Sequence, residues 1–246
     1  MSVYSYLGPA GTFTEAALTP ILKPGDKAIP AVNVTAALDA VRSGSAEYAI
    51  VPIENSVEGV VARTLDELAS GEPLLIIGES ILAVSFALMV KPGVKISEIK
   101  RLATHPHAEA QCREYIARNI PGAEVIMTAS TAAGAEAVAK GEADGALAAA
   151  VAAKNFDLQI IAEDVGDRQA AVTRFVTVSR PGKIAAPTGS DRSSLVVFID
   201  ADHSGALLEI LTEFAVRGVN LTFIQSRPNG VELGQYHFII DVEGHI

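Results

Sequence analysis

Up to Ser179 the sequence alternates short apolar runs with stretches of helical periodicity, and this constrains the fold more than any other feature. Runs too short for buried helices, separated by amphipathic stretches long enough to cross back over a sheet, specify a mainly parallel sheet with crossover helices. Strands are expected at residues 3–7, 49–53, 74–77, 81–90, 101–103, 124–127 and 172–179, and helices at 14–22, 35–42, 62–69, 106–119 and 132–140. Residues 180–191, rich in Pro, Gly and small polar side chains, read as a linker. Beyond it the pattern changes to a strand at 194–201, a helix at 204–216 with Ser204 as its N-cap, and strands at 220–227 and 235–242 joined by a turn at Pro228-Asn-Gly230. That order is the front of a ferredoxin-like split βαβ unit, whose closing helix and strand are expected to be missing because the sequence stops at Ile246. The fold class is therefore α/β followed by a small, incomplete α+β module.

With 246 residues the chain can bury one large core or two smaller ones. A net charge of -10 argues against a nucleic-acid backbone or an anionic membrane as partner. The most apolar run, 81–90, is half the ~20 residues of a membrane helix and reads as a buried strand. A single cysteine, Cys112, permits no internal disulfide and no zinc site of its own, and no secretion signal precedes the first strand, so a cytoplasmic location is expected.

Three places share one design, in which a strand ends, a turn of small or polar residues follows and a helix begins. In Gly8-Pro-Ala-Gly-Thr-Phe-Thr14 the backbone at Ala10 and Gly11 can approach a ligand, and Thr12 or Thr14 can cap the helix. In Ile53-Glu-Asn-Ser-Val-Glu-Gly59, Asn55 and Ser56 offer side-chain donors. In Thr128-Ala-Ser-Thr-Ala-Ala133, Ser130 or Thr131 takes the capping position. A helix start presents unpaired N–H groups and partial positive charge, which suits an anion. Singly each is an ordinary connection; together, at the carboxyl ends of strands, they outline a site for a small anion. In Thr173-Arg-Phe175, Thr173 and Phe175 share one face of a strand and Arg174 the other, so Arg174 suits a structural or interface role if Thr173 faces the cleft. On spacing alone, Thr173 is just a β-branched residue suited to a strand. His105-Pro-His107 lacks a third ligand and reads as a loop entering a helix; Cys112 reads as core. Glu54 and Glu58 are acid–base candidates or a plain helix start.

Taken together these segments, with Gly205-Ala-Leu207 and Ser226-Arg-Pro228, occur in the order seen in prephenate dehydratases, and the chain resembles that family over essentially its whole length. The resemblance implies a type II periplasmic-binding-protein-like catalytic domain over 1–183, with one lobe at about 1–77 plus 158–183 and the other at about 78–157. It implies a partial ACT regulatory domain over 193–246. The implied reaction is loss of CO2 and hydroxide from prephenate to give phenylpyruvate, with no metal or redox cofactor. Thr173 would be the hydroxyl donor, and Ala10, Gly11, Thr12, Asn55, Ser56, Ser130 and Thr131 would hold the substrate. Phenylalanine would bind between modules of neighbouring subunits of a homodimer or homotetramer, near Gly205, Ala206, Leu207, Asn220, Leu221, Gln225, Ser226, Arg227 and Pro228. The sequence departs from the family pattern at Ala171, where many members carry Asn, and at Gln225, where Glu commonly precedes Ser-Arg-Pro. Two alternatives stay open at this stage: an arogenate dehydratase, and a non-catalytic anion-binding protein of the same fold.

Overall fold

The computed structural model describes residues 1–57, 59–167, 171–182, 184–199, 203–229 and 235–246. The first lobe opens with β1 (Val3–Leu7), whose Tyr4, Ser5 and Tyr6 are buried on both faces, as a central parallel strand requires. There follow α1 (Phe13–Leu18), β2 (Lys27–Ala31), α2 (Val34–Arg42), β3 (Tyr48–Asn55), the short β4 (Gly59–Val60), α3 (Ala62–Ala69) and β5 (Leu75–Val84). The second lobe comprises β6 (Ala87–Val90), β7 (Arg101–Thr104), α4 (Pro106–Gln111), α5 (Arg113–Asn119), β8 (Glu124–Met127), α6 (Thr131–Lys140), β9 (Gly145–Ala148), α7 (Ala150–Asn155) and β10 (Gln159–Ala162). The chain then returns as β11 (Ala171–Ser179), which slots antiparallel between β3 and β5. The first sheet runs β2-β1-β3-β11-β5 with β4 beside β3, and the second runs β10-β6-β9-β7-β8.

Several expected boundaries move. The apolar run 81–90 is not one strand: β5 ends at Val84 in the first sheet and β6 begins at Ala87 in the second. The first lobe therefore extends past residue 77, and β10, which pairs with β6, belongs to the second lobe although it was assigned to the first from residue 158. The Ala-rich stretch is β9 followed by α7. The helix expected at 106–119 breaks at Cys112, whose backbone (φ -121°, ψ 17°) is not helical. β2 and β10 are strands beyond those expected; β2 is an exposed edge strand that carries Pro30, and so lacks the usual alternation.

Small side chains let the second lobe pack tightly. A Cβ on Gly134 would sit 2.8 Å from the Ala103 carbonyl oxygen, so α6 lies directly against the β7 backbone. The two crossings between lobes are fastened side by side: Val165 N–H donates to the Phe86 carbonyl at 2.9 Å, and Ser85 Oγ to Asp164 Oδ1 at 3.0 Å.

The C-terminal module consists of β12 (Arg192–Phe198), α8 (Ala206–Ala215), β13 (Leu221–Pro228) and β14 (Tyr236–Glu243). Its sheet runs β12-β14-β13 with both pairings antiparallel, the expected front of a split βαβ unit. Gly205, at φ +99°, replaces Ser204 as the residue preceding the helix. Of the expected turn, Gly230 lies outside the described residues, as does Ala201 at the end of the first expected strand. One face of the sheet rests on the first lobe: Ile239 joins the core formed by Val34, Leu38, Leu65 and Val176, flanked by Val196 and Phe223.

Candidate active site

The last residue of β3, Asn55, pairs in register with Thr173 of β11. The Asn55 amide is oriented by its own turn, because Oδ1 accepts from the Val57 N–H at 2.8 Å. That leaves Nδ2 to donate to Thr173 Oγ1 at 2.8 Å. A hydroxyl oxygen that accepts from an amide keeps its own proton for a third group and is polarised toward giving it. Ser56 locks the strand end: its N–H donates to the Val172 carbonyl and its Oγ accepts from the Val172 N–H, both at 2.9 Å. The expected helix start beside these residues is absent. β4 intervenes, and α3 begins only at Ala62 after an N-cap, Val61, that makes no side-chain hydrogen bond. Asn55 therefore ends a strand and Ser56 follows it, with β4 rather than a helix start next in the chain. Glu54 pairs in register with Arg174; Glu58 lies outside the described residues.

In the turn holding Ala10 and Gly11, Thr12 caps α1 and also donates to the Leu7 carbonyl at 3.2 Å. The Gly11 N–H is already engaged by Glu15 Oε2 at 2.5 Å, and the same oxygen accepts from Asn155 Nδ2 of α7 at 2.7 Å. An internal carboxylate thus already accepts from the N–H expected to face a substrate anion, at the start of the six-residue α1. Gly11 also joins the lobes. At φ +88°, a Cβ there would lie 3.1 Å from Ala152 Cβ, 3.2 Å from Phe156 Cε2 and 3.3 Å from Ala132 Cβ, so only glycine lets α6 and α7 approach so closely.

The third helix start keeps its expected character. Ser130 Oγ accepts from the Ala133 N–H at 3.0 Å, and the ten-residue α6 begins at Thr131 with no acidic residue in its first turn. Because Ala132 faces Gly11, Ser130 and Thr131 stand at the junction of the lobes. Phe13, two residues past Gly11, meets Phe86 edge-on at 5.4 Å and packs on the cluster containing Ala171, two residues before Thr173. Gly11 and the start of α6 thus meet at the lobe junction, and Phe13 links the Gly11 turn to the cluster at the start of β11.

The rest of the triplet divides as strand alternation requires. Phe175 is buried among Tyr4, Tyr6, Leu18 and Ile50, while Arg174 reaches the opposite face and pairs with Glu79 and Asp241. His105 caps α4 ahead of Pro106, and Cys112 is fully buried, its thiol pushed up to about 12 by burial first and then by Asp167 and Glu109. Sequence reasoning missed Glu15, though Thr12 and Glu15 have the spacing of a capping box, a signal that was available.

In the module, Gly205, Ala206 and Leu207 start α8, while Leu221, Gln225, Ser226, Arg227 and Pro228 lie on β13 with Asn220 just before it. The registers Phe198↔His237↔Arg227 and Ser193↔Val242↔Leu221 set Asn220 and Leu221 at one end of the sheet and Ser226–Pro228 at the other.

The prephenate dehydratase family model matches residues 4–183. A prephenate dehydratase of Amycolatopsis methanolica is 47% identical over 247 residues, covering all of this chain and 80% of the relative. The chain belongs to the prephenate dehydratase family. A prephenate dehydratase from Arthrobacter aurescens, solved in complex with L-Phe, superposes with TM-score 0.89 at 48% identity, covering 99% of this chain and 81% of that one. GqqA, described as a novel type of quorum quenching acylase, superposes with TM-score 0.85 at 31% identity over 99% and 88% of the two chains. The two sheets, β2-β1-β3-β11-β5 and β10-β6-β9-β7-β8, give the paired α/β lobes expected from the sequence.

Proposed function

We propose that this prephenate dehydratase family member acts as a carbon–oxygen lyase in which Thr173 eases hydroxide out of prephenate. The bond between the ring and its carboxylate breaks, releasing CO2, and its electron pair completes the aromatic ring. The ring C–O bond breaks in concert, and the departing oxygen takes up a proton to leave as water with phenylpyruvate. Aromatisation drives the step, so what the protein must provide is a hold on two carboxylates and a donor at the leaving oxygen. The observation that carries the reading is the Asn55 Nδ2–Thr173 Oγ1 hydrogen bond at 2.8 Å, which aims the free threonine proton away from Asn55. The N–H groups at the start of α6, with Ser130 and Thr131, suit a substrate carboxylate. Ala10, Gly11 and Thr12 contribute the shape of the turn and Asn55 and Ser56 its far wall.

The Thr173→Val variant keeps the side-chain shape and removes the proton. It is expected to lower kcat by about 10²–10³ with little change in KM; wild-type turnover would remove Thr173 from the chemistry. Parallel assays with arogenate, in which an amino group replaces the keto oxygen, separate the two substrates.

The module at 193–246 is read as an ACT domain and 1–183 as the catalytic domain, with Lys183 outside the described residues. Because Asn220 and Leu221 lie at the opposite end of the sheet from Ser226–Pro228, a phenylalanine site that uses both groups is best formed between two copies of the chain, as homodimer or homotetramer. The L-Phe bound by the Arthrobacter aurescens relative supports phenylalanine as effector. Among the described residues no helix is long and apolar enough to cross a membrane, in keeping with a cytoplasmic enzyme.

A further inference from the structure

Arg174 sits beside Thr173 on the central strand β11, yet its guanidinium leaves the lobe. Nη1 donates to Asp241 Oδ2 on β14 of the C-terminal module, and Nε donates to Glu79 Oε2 on β5 at 2.7 Å. The Arg174 and Asp241 side chains are only 8% and 2% exposed, and Asp241 Oδ1 is held in turn by Ser194 Oγ of β12 at 2.6 Å. A buried ion pair roughly breaks even against apolar packing, so stability gives it little purpose; what it does better than apolar contact is fix register.

The register at this point is unusual. Thr173 faces Asn55 and Arg174 faces Glu54, but Phe175 faces Pro52, so a bulge at Ile53 of β3 directly adjoins the Asn55–Thr173 hydrogen bond. A bulge re-aims neighbouring side chains, and its geometry depends on how both strands are held. Both strands are tied to the module. β11 is tied through Arg174–Asp241. β3 is tied through Thr64, which donates to the Pro52 carbonyl at 2.6 Å from α3, the helix whose Asp66 takes a two-pronged contact from Arg227 of β13 at 2.7 Å and 2.7 Å.

We propose that Arg174 and Asp241 are positioning residues for the reaction: their buried contact, braced by Glu79 and Ser194, lets the C-terminal module set the distance between Thr173 and Asn55. The inference rests on the reading of Thr173 as the proton donor, and its test separates the two. Wild type, Thr173→Val, Asp241→Asn and the double variant are compared in steady-state prephenate turnover, with melting curves recorded for each. Asp241→Asn is expected to lower kcat about tenfold with KM within about twofold, and to change kcat less than about twofold once Thr173 is already Val. A full loss added on top of Thr173→Val, or unchanged kcat in a less stable Asp241→Asn protein, would make the pair a mere fastener and overturn the proposal. Wild-type turnover by Thr173→Val alone would instead overturn the donor reading.

Should Asp241→Asn not fold, Ser194→Ala and Glu79→Gln carry the same question from gentler positions. Glu79 is 38% exposed at its side chain and borders a cavity of about 580 Å³ shared with Asp191, Arg192 and Glu243. Each is expected to lower kcat about threefold in the wild-type background and not with Thr173→Val; no effect in either background would overturn the proposal.

Discussion

Among single residues, the outcome turned on which hydrogen-bonding groups were already taken. Sequence motifs singled out Thr173, Asn55 and Ser130 as candidates, but not the hydrogen bond that joins Asn55 to Thr173 across 118 positions. The hold of Glu15 on the Gly11 N–H, four residues away, was by contrast a local signal. A motif shows which groups are available; pairing across folded distance shows which remain free. Burial has a pH consequence at two other positions. The Cys112 thiol and the Tyr6 hydroxyl both rise to about 12, burial being the largest cause in each, with Asp167 and Glu109 adding for the thiol and Glu15 for Tyr6. Their ordinary values are 9.0 and 10.0, so in alkaline solution the folded chain keeps protons that the unfolded chain gives up. Stability from these groups is full below about pH 9 and is lost as pH climbs toward 12. Melting temperatures measured from pH 8 to 11 should fall steadily, and less steeply in Cys112→Ser; parallel curves for the two proteins would contradict the assignment to Cys112.

Secondary-structure elements were legible where they were amphipathic or buried on both faces, as with α2, α3, α6 and β1. They were illegible where tertiary context chose the boundary. Nothing local in the apolar run 81–90 marks Ser85–Phe86 as the passage between lobes, because both halves are strands and only their partners differ. The same dependence governs α6, which can bring Ala132 to Gly11 only because Gly134 lets it lie on β7. A methyl group at 134 would meet the Ala103 oxygen at 2.8 Å, backbone that cannot easily yield. Gly134→Ala is therefore expected to push α6 outward, costing about 1–3 kcal/mol and raising KM for prephenate through the displaced helix start. A variant with unchanged melting temperature and KM would show that the helix does not depend on this approach.

For the whole molecule, the fold class and the order of the parts were readable from periodicity, the linker and the resemblance. The way the parts are fastened was not. Arg174–Asp241 and Arg227–Asp66 join residues 67 and 161 positions apart, and charged pairs at such separations leave no mark on a sequence. The paired crossings at Ser85–Phe86 and Asp164–Val165 have a mechanical consequence. Two backbone ribbons bonded edge to edge bend together readily but resist being twisted or sheared past each other. The lobes should then swing like a book on its spine, along one angle, with Gly11 and α7 meeting as the covers shut. Spin labels at Val32 and Met127, exposed positions on opposite lobes, should report a spread of separations that narrows on adding substrate, and cutting the Ser85–Asp164 bond with Ser85→Ala should broaden it.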